Sequence, residues 1–290
     1  MMLRLALGLL LASACSFDPS GPGIEPDGTP GEGDGGTLDG DVGIDGGLFR
    51  LIERNLLVRY FIDEAATGQG PLLLRDSAPN PLDLPVTYIS PDPVFSDDGN
   101  RGLTWATNGG NSRVTIAVTG TKIEKLAGAQ QATIEVVAQV TSCSTQNSRL
   151  AHIGRLNLSQ FSLECGNGVL LVGWEMGTGD IAASIPFDVA SQGRFVAHAV
   201  VDTRRVIDTE RVRLYVDGVE RTDSTPNVTP ILNQGIVIPV APDEFLGVGN
   251  REIGGRTIEG MIYYVAIYET ALSATEVANN AARLTASDDQ

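Results

Sequence analysis

Lysine is nearly missing from this chain: of 20 basic side chains only Lys122 and Lys125 are lysines, and arginine supplies the rest. Against 36 acidic side chains this leaves a formal charge of −16 over 290 residues. Such a surface repels phosphate backbones and carries no polybasic patch, which excludes nucleic acid and an electrostatically held membrane as partners. Histidine is as scarce. His152 alternates with Leu150 and Gly154, and His198 with Val196 and Val200. Neither has an acidic neighbour at ligand spacing, so both read as satisfied sheet residues and not as a metal site. GxSxG, HExxH, phosphate-loop and CxxC patterns are absent, and so are repeats of about 20–50 residues. The apolar run Leu5–Ala12 falls well short of the ~20 residues that span a bilayer.

That run follows Arg4 and reads as a secretory signal. Ala12-Ser13-Ala14-Cys15 resembles a bacterial lipobox, in which the cysteine is lipidated and becomes the new N-terminus. An ordinary signal peptide cut just before Cys15 is the alternative. Ser16 after the cysteine implies, by similarity to bacterial lipoproteins, sorting to the outer membrane, on the cell surface or its periplasmic face. Residues 1–15 are thus signal and lipobox, and the membrane is met only through the lipid. With Cys15 assigned to the anchor, Cys143 and Cys165 remain as an even pair in an oxidising compartment, and a disulfide is expected. Residues 16–48 are rich in glycine, aspartate and proline and hold no basic side chain. They cannot bury enough apolar surface to offset ordering entropy, and are expected to form a flexible acidic tether. The segment Asp39–Asp45 has Asp-Gly spacing but lacks the closing glutamate of a calcium loop.

Residues 49–285 carry a different pattern. Val212, Leu214 and Val216 alternate with Arg211, Arg213 and Tyr215, then Asp217-Gly218 turns the chain and Val219 starts back. This is a strand followed by a tight hairpin. Further strands are expected at Leu56–Glu64, Leu103–Trp105, Val114–Ile116, Ala132–Val140, Arg149–Gly154, Gln160–Glu164, Val169–Trp174, Arg194–Asp202, Glu244–Gly249 and Ile258–Tyr268. The stretch from Pro79 to Gly102 reads as a long irregular connection, and Thr121–Leu126 as one helical turn. Ser273-Ala274-Thr275-Glu276 is a capping box that opens a helix with Ala274, Val277, Ala281 and Leu284 on one face, expected at the sandwich edge. Strands at short regular intervals without βαβ alternation predict an all-β antiparallel sandwich with a short C-terminal helix.

Four stretches give this pattern a family likeness. They are Val58–Glu64 with Leu74-Arg75-Asp76-Ser77; Ala132-Thr133-Ile134-Glu135; Phe195–Asp202 with Arg213–Gly218; and Gly260–Tyr268 with Leu272–Glu276. In this order they resemble the laminin-G-like, concanavalin A-like jelly rolls of bacterial secreted proteins, over roughly residues 56–284. The resemblance implies a jelly-roll sandwich and a recognition role. Tyr263-Tyr264 stands where the family usually carries an acidic pair, so no cofactor is expected, with calcium the one ion the likeness leaves open.

Retaining glycan hydrolysis needs two carboxylates about 5–5.5 Å apart. Glu135 stands between Ile134 and Val136, Glu164 sits beside Cys165, and no Glu-x-Asp-x-x-Glu strand occurs, so the chain reads as a non-enzyme. Saccharide binding needs stacking aromatics and planar polar groups. Trp174 and Tyr263 are the candidate platforms, with Tyr88 and Trp105 also available. Asp97, Asp98, Asn100, Asn250 and Arg251 are the candidate loop ligands. The expected function is a surface-anchored recognition or adhesion module that binds a glycan or an extracellular protein through rim loops. A glycan hydrolase with an atypical site and a non-binding envelope component are the alternatives.

Overall fold

The computed structural model describes residues 50–64, 72–89, 93–96, 101–166, 168–175, 183–223, 225–226, 231–238 and 243–288. Cys15, the segment 16–48 and the loop residues Asp97, Asp98 and Asn100 lie outside them.

Asp217 (φ 50°) and Gly218 (φ 79°) both take the left-handed region, and they join Val212–Val216 to Val219–Glu220. A β-carbon on Gly218 would lie 3.1 Å from Ala281 Cβ, so the turn also has to be glycine to approach the C-terminal helix. The hairpin edges an eight-stranded antiparallel sheet. At its centre runs the twelve-residue strand Gln131–Ser142, paired on one side with Arg194–Asp202 and on the other with Glu259–Tyr268. A second antiparallel sheet of nine strands faces it. Their facing sides supply one core, to which Ile134, Val136, Ala138, Leu163, Val172, Trp174, Leu214 and Ile267 contribute. Alternation puts every second residue of each strand into that layer.

The eight-stranded sheet is apolar on its outer side too. Val137, Val196, Val200, Tyr215, Tyr263, Tyr264 and Tyr268 form a second cluster with Val277, Ala281 and Leu284 of the helix Ala274–Ala286. The helix therefore lies over the sheet face, where the sequence suggested the edge. The capping box forms as expected: Ser273 Oγ accepts from Glu276 N, and Glu276 Oε2 accepts from Ser273 N.

Two other expectations change. The stretch from Pro79 to Gly102 holds two short strands, Leu84–Thr87 in the nine-stranded sheet and Val94–Ser96 in the other. Leu73–Leu74, Ala183–Pro186 and Thr225–Pro226 are strands the sequence pattern did not reveal. All five are short, and three contain proline, which lacks a ladder donor and weakens the strand signature.

Candidate functional site

The aromatic candidates are interior. Trp174 has no exposed surface and packs edge-on against Phe161 in the inner core, with ring centroids 5.4 Å apart. Tyr263 is 2% exposed in the outer cluster, its hydroxyl donating to Gln139 Oε1 at 3.0 Å and Arg194 lying 5.3 Å from its ring centre. A β-bulge between Ile262 and Tyr264 turns both tyrosines outward, under the helix. Neither ring presents a stacking face, and Trp105 is buried as well. Asn250 is a scaffold residue: its Nδ2 donates to the carbonyls of Gly110 and Ser112, and its Oδ1 accepts from the amides of Arg251 and Arg256. It thereby shapes the loop that carries Arg251.

The two histidines differ. His198 Nε2 lies 2.7 Å from Glu135 Oε1, both fully buried. Glu135 Oε2 accepts from the hydroxyls of Tyr264 and Tyr268, which in turn accept from Arg59 Nε and Nη2. His198 is thus the sheet residue expected, partnered at Nε2, although its buried Nδ1 has no hydrogen-bond partner. His152 is not: both ring nitrogens are buried without a partner. Burial, reinforced by Arg149 and Arg251, pushes its pKa well down and keeps it neutral.

The polar residues converge elsewhere, on the outer side of the nine-stranded sheet. Ser162 and Glu164 alternate outward on the strand Leu158–Gly166 while Phe161, Leu163 and Cys165 point into the core. Arg149, opposite Glu164 on the strand Ser148–Arg155, forms a buried ion pair with it. The hydroxyls of Ser159 and Ser162 both donate to Glu164 Oε1. The hairpin between these strands closes tightly because Gly154 has no side chain: a β-carbon there would lie 2.3 Å from Leu158 O. Arg149, Glu164, Ser159, Leu171 and Gly173 line a cavity of about 360 Å³. Gln146, Asn147, Asn157 and Arg256 complete its wall. The disulfide Cys143–Cys165 closes a separation of 22 residues and ties the turn bearing Gln146 and Asn147 to the strand bearing Glu164.

Arg256 is in the wall of this cavity, and Arg251 stands beside it, the two sharing Asn157 Oδ1. Arg251 donates to the carbonyls of Gly254 and Leu156 and to Asn157 Oδ1. Arg256 donates to Asn147 O at 3.3 Å and to Asn157 Oδ1 at 3.1 Å. Of the described residues proposed from sequence, Arg251 alone reaches this region, through Asn157. Glu164 and Arg149 were legible as outward positions of period-two strands, but nothing local showed that they face each other.

Near the start of the strand Phe245–Val248, Glu244 is pushed up to about 7, chiefly by burial, with Glu175 and Glu252 adding to the rise. At Phe61–Glu64 and Arg75–Ser77 a second cavity of about 300 Å³ opens. Asp76 there accepts from the amides of Arg59, Ala78 and Leu82 and pairs with Lys122, so this family-like segment organises a turn. Among the described residues no three His, Cys, Asp or Glu side chains gather as a metal site.

Two stacked antiparallel sheets with a polar cavity on one outer face define a jelly-roll sandwich protein. Residues 108–278, more than half of the chain, match the concanavalin A-like lectin/glucanases superfamily (Laminin_G_3). The chain belongs to this superfamily.

Solved structures agree on the fold. Trypanosoma rangeli sialidase in complex with sialic acid matches with a TM-score of 0.51 and 14% identity, over 81% of this chain and 34% of the sialidase. Botulinum neurotoxin type C, whose passage into cells depends on interaction with two ganglioside molecules, matches with a TM-score of 0.54 and 10% identity, over 79% and 51%. The binding domain of botulinum neurotoxin DC in complex with rat synaptotagmin II gives 0.50 and 12%, over 79% and 52%. The chain thus spans about a third of the sialidase and about half of the toxin chains it matches. Such identities show the fold alone. No curated protein matches the chain. The exclusion of an enzyme from sequence is overturned, because the fold relationship reaches sialidases at 12–15% identity. That relationship carries architecture and no activity.

Proposed function

We propose that this chain is a saccharide-recognition module held at the bacterial outer membrane by a lipid on Cys15. The observation that carries the reading is the polar cavity on the nine-stranded sheet. Its serine on a rigid strand, and its asparagine, glutamine and arginine side chains on the adjoining strand and turns, supply directional donors and acceptors around Leu171 and Gly173. Fold relatives described with sialic acid and gangliosides support a saccharide as the ligand class. A glycan array with the purified chain, with and without calcium, tests it. Binding that Asn157→Ala and Gln146→Ala reduce together supports the site, and an array with no binder removes it. The anchor rests on Ala12-Ser13-Ala14-Cys15. Incorporation of a palmitate analogue, abolished by Cys15→Ser, tests that part.

Hydrolysis of a glycan is the second reading, favoured by the raised Glu244 beside Glu175 and Glu252. A carboxyl poised near neutral pH suits general acid work. Release of reducing sugar that Glu244→Gln abolishes would establish it.

A further inference from the structure

The charge around the cavity is lopsided. Arg149 is neutralised by Glu164, with which it shares a buried ion pair. Arg251 and Arg256 are not neutralised: all their hydrogen bonds go to backbone carbonyls and to one amide oxygen, Asn157 Oδ1, which both share. Glu252, next in the chain, turns its Oε1 to the amide of Leu156 instead. Arg256 Nε is buried and has no partner. Burial and the neighbouring Arg251 both act against the charge on Arg256. Two half-buried cations facing each other are costly, and the cost is offset only when an anion joins them. In a chain of formal charge −16 acidic side chains are plentiful, yet Glu164 in the same cavity wall pairs with Arg149 and Glu252 accepts from the amide of Leu156, and neither forms an ion pair with Arg251 or Arg256.

We propose that the saccharide taken by this cavity carries an oxyanion group, carboxylate or sulfate, bound by Arg251 and Arg256. The inference rests on the saccharide reading above and narrows it to acidic sugars. The guanidinium fork meets a planar or tetrahedral oxyanion through charge-assisted hydrogen bonds, which are stronger than those the arginines now make to neutral oxygens. Asn157, its Oδ1 released in part from the arginines, then faces the sugar hydroxyls. The exposed apolar side chains Leu156 and Ile253 flank the same two loops and offer a dry edge to the ring.

Calorimetric titration of the full chain tests this with five probes. They are a hexuronate oligosaccharide, its carboxyl-reduced neutral counterpart, an O-sulfated form of that counterpart, sodium acetate and sodium sulfate. An acidic oligosaccharide is expected to bind about 10-fold or more tighter than the neutral one, since two charge-assisted contacts distinguish them. Raising salt to ~0.5 M narrows the gap. Arg251→Gln and Arg256→Gln each remove most of the gap, lowering acidic-sugar affinity by a larger factor than neutral-sugar affinity, while Arg256→Lys keeps more of it than Arg256→Gln. Unaltered melting temperatures show that the variants fold. Whichever of the carboxylate and sulfate forms binds tighter identifies the oxyanion. Equal binding of the neutral and acidic sugars overturns the inference and leaves the saccharide reading standing. Arginine-dependent binding of acetate or sulfate without any saccharide overturns that reading and keeps the oxyanion site. No binding of any probe overturns both.

Discussion

Glu135 and His198, 63 residues apart in sequence, face each other across neighbouring strands with 2.7 Å between Oε1 and Nε2. They sit on the outer side of the eight-stranded sheet, which the C-terminal helix seals. Asn280 of that helix donates to Tyr268, and its Oδ1 accepts from Ile52 N. The pair thus joins the sheet, the helix and the first described residues in one polar layer inside an apolar cluster.

Removing one member leaves the others buried without a counterpart. Glu135→Ala is expected to cost about 3 kcal/mol in chemical denaturation, because it breaks buried hydrogen bonds to a charged group and leaves their other members unpaired. Burial opposes ionisation of Glu135, but hydrogen bonds from His198, Tyr264 and Asn280 outweigh it and hold the carboxyl below its usual range. A carboxyl depressed in the folded state contributes stability above its unfolded pKa, and that contribution fades as pH falls through the folded value. Wild type should therefore lose stability on acidification that Glu135→Gln does not lose.

Glu244 has the opposite sign. Its folded pKa of about 7 lies above the unfolded value, so its contribution is favourable at low pH and is lost as pH rises between about 4.5 and 7. Glu244→Gln should match wild type near pH 4 and exceed it by about 1–2 kcal/mol at pH 8, a figure discounted for solvent screening at the strand end. Thermal melts across that range read the difference. A constant offset at all pH values would sink it.

Loss of the Cys143–Cys165 bridge, in a Cys143→Ser/Cys165→Ser variant, should reduce stability by about 3 kcal/mol for a loop of this length. The bridge also fixes the turn carrying Gln146 and Asn147, so saccharide affinity should fall more than the affinity change of any single wall residue. Denaturation curves and array binding on the same preparation separate the two effects.

Ser273→Ala removes the hydroxyl that accepts from Glu276 N and should cost about 1 kcal/mol. Because Val277, Ala281 and Leu284 cover the outer cluster, the helix unlatches before the sandwich unfolds. Hydrogen exchange should show faster opening of residues 274–286 with the strand Gln131–Ser142 still protected.

Most strands were legible because alternation and turn chemistry are local. Asp217-Gly218 announced its hairpin, and Ser273–Glu276 its helix start, from chemistry contained within four residues. Tyr263 was misread because one bulged residue reverses the face of its neighbours, and no composition marks the bulge. Asn250 looked like a loop ligand, but two of its four partners, the carbonyls of Gly110 and Ser112, lie far away in sequence. His152 and His198 carried the same alternating signature, yet one meets a carboxylate and the other meets nothing.

From residue order alone came the antiparallel sandwich and the capped terminal helix, since each depends on spacing along the chain, and the pairing of Cys143 with Cys165 followed from counting cysteines once Cys15 was assigned to the anchor. Which side chains meet across strands was decided only by the tertiary structure. Register and curvature set Arg149 opposite Glu164, put Arg251 beside Arg256 and laid the helix over a tyrosine-rich face. Those relations depend on hydrogen bonding between segments remote in sequence, where a one-residue shift exchanges the buried face for the open one.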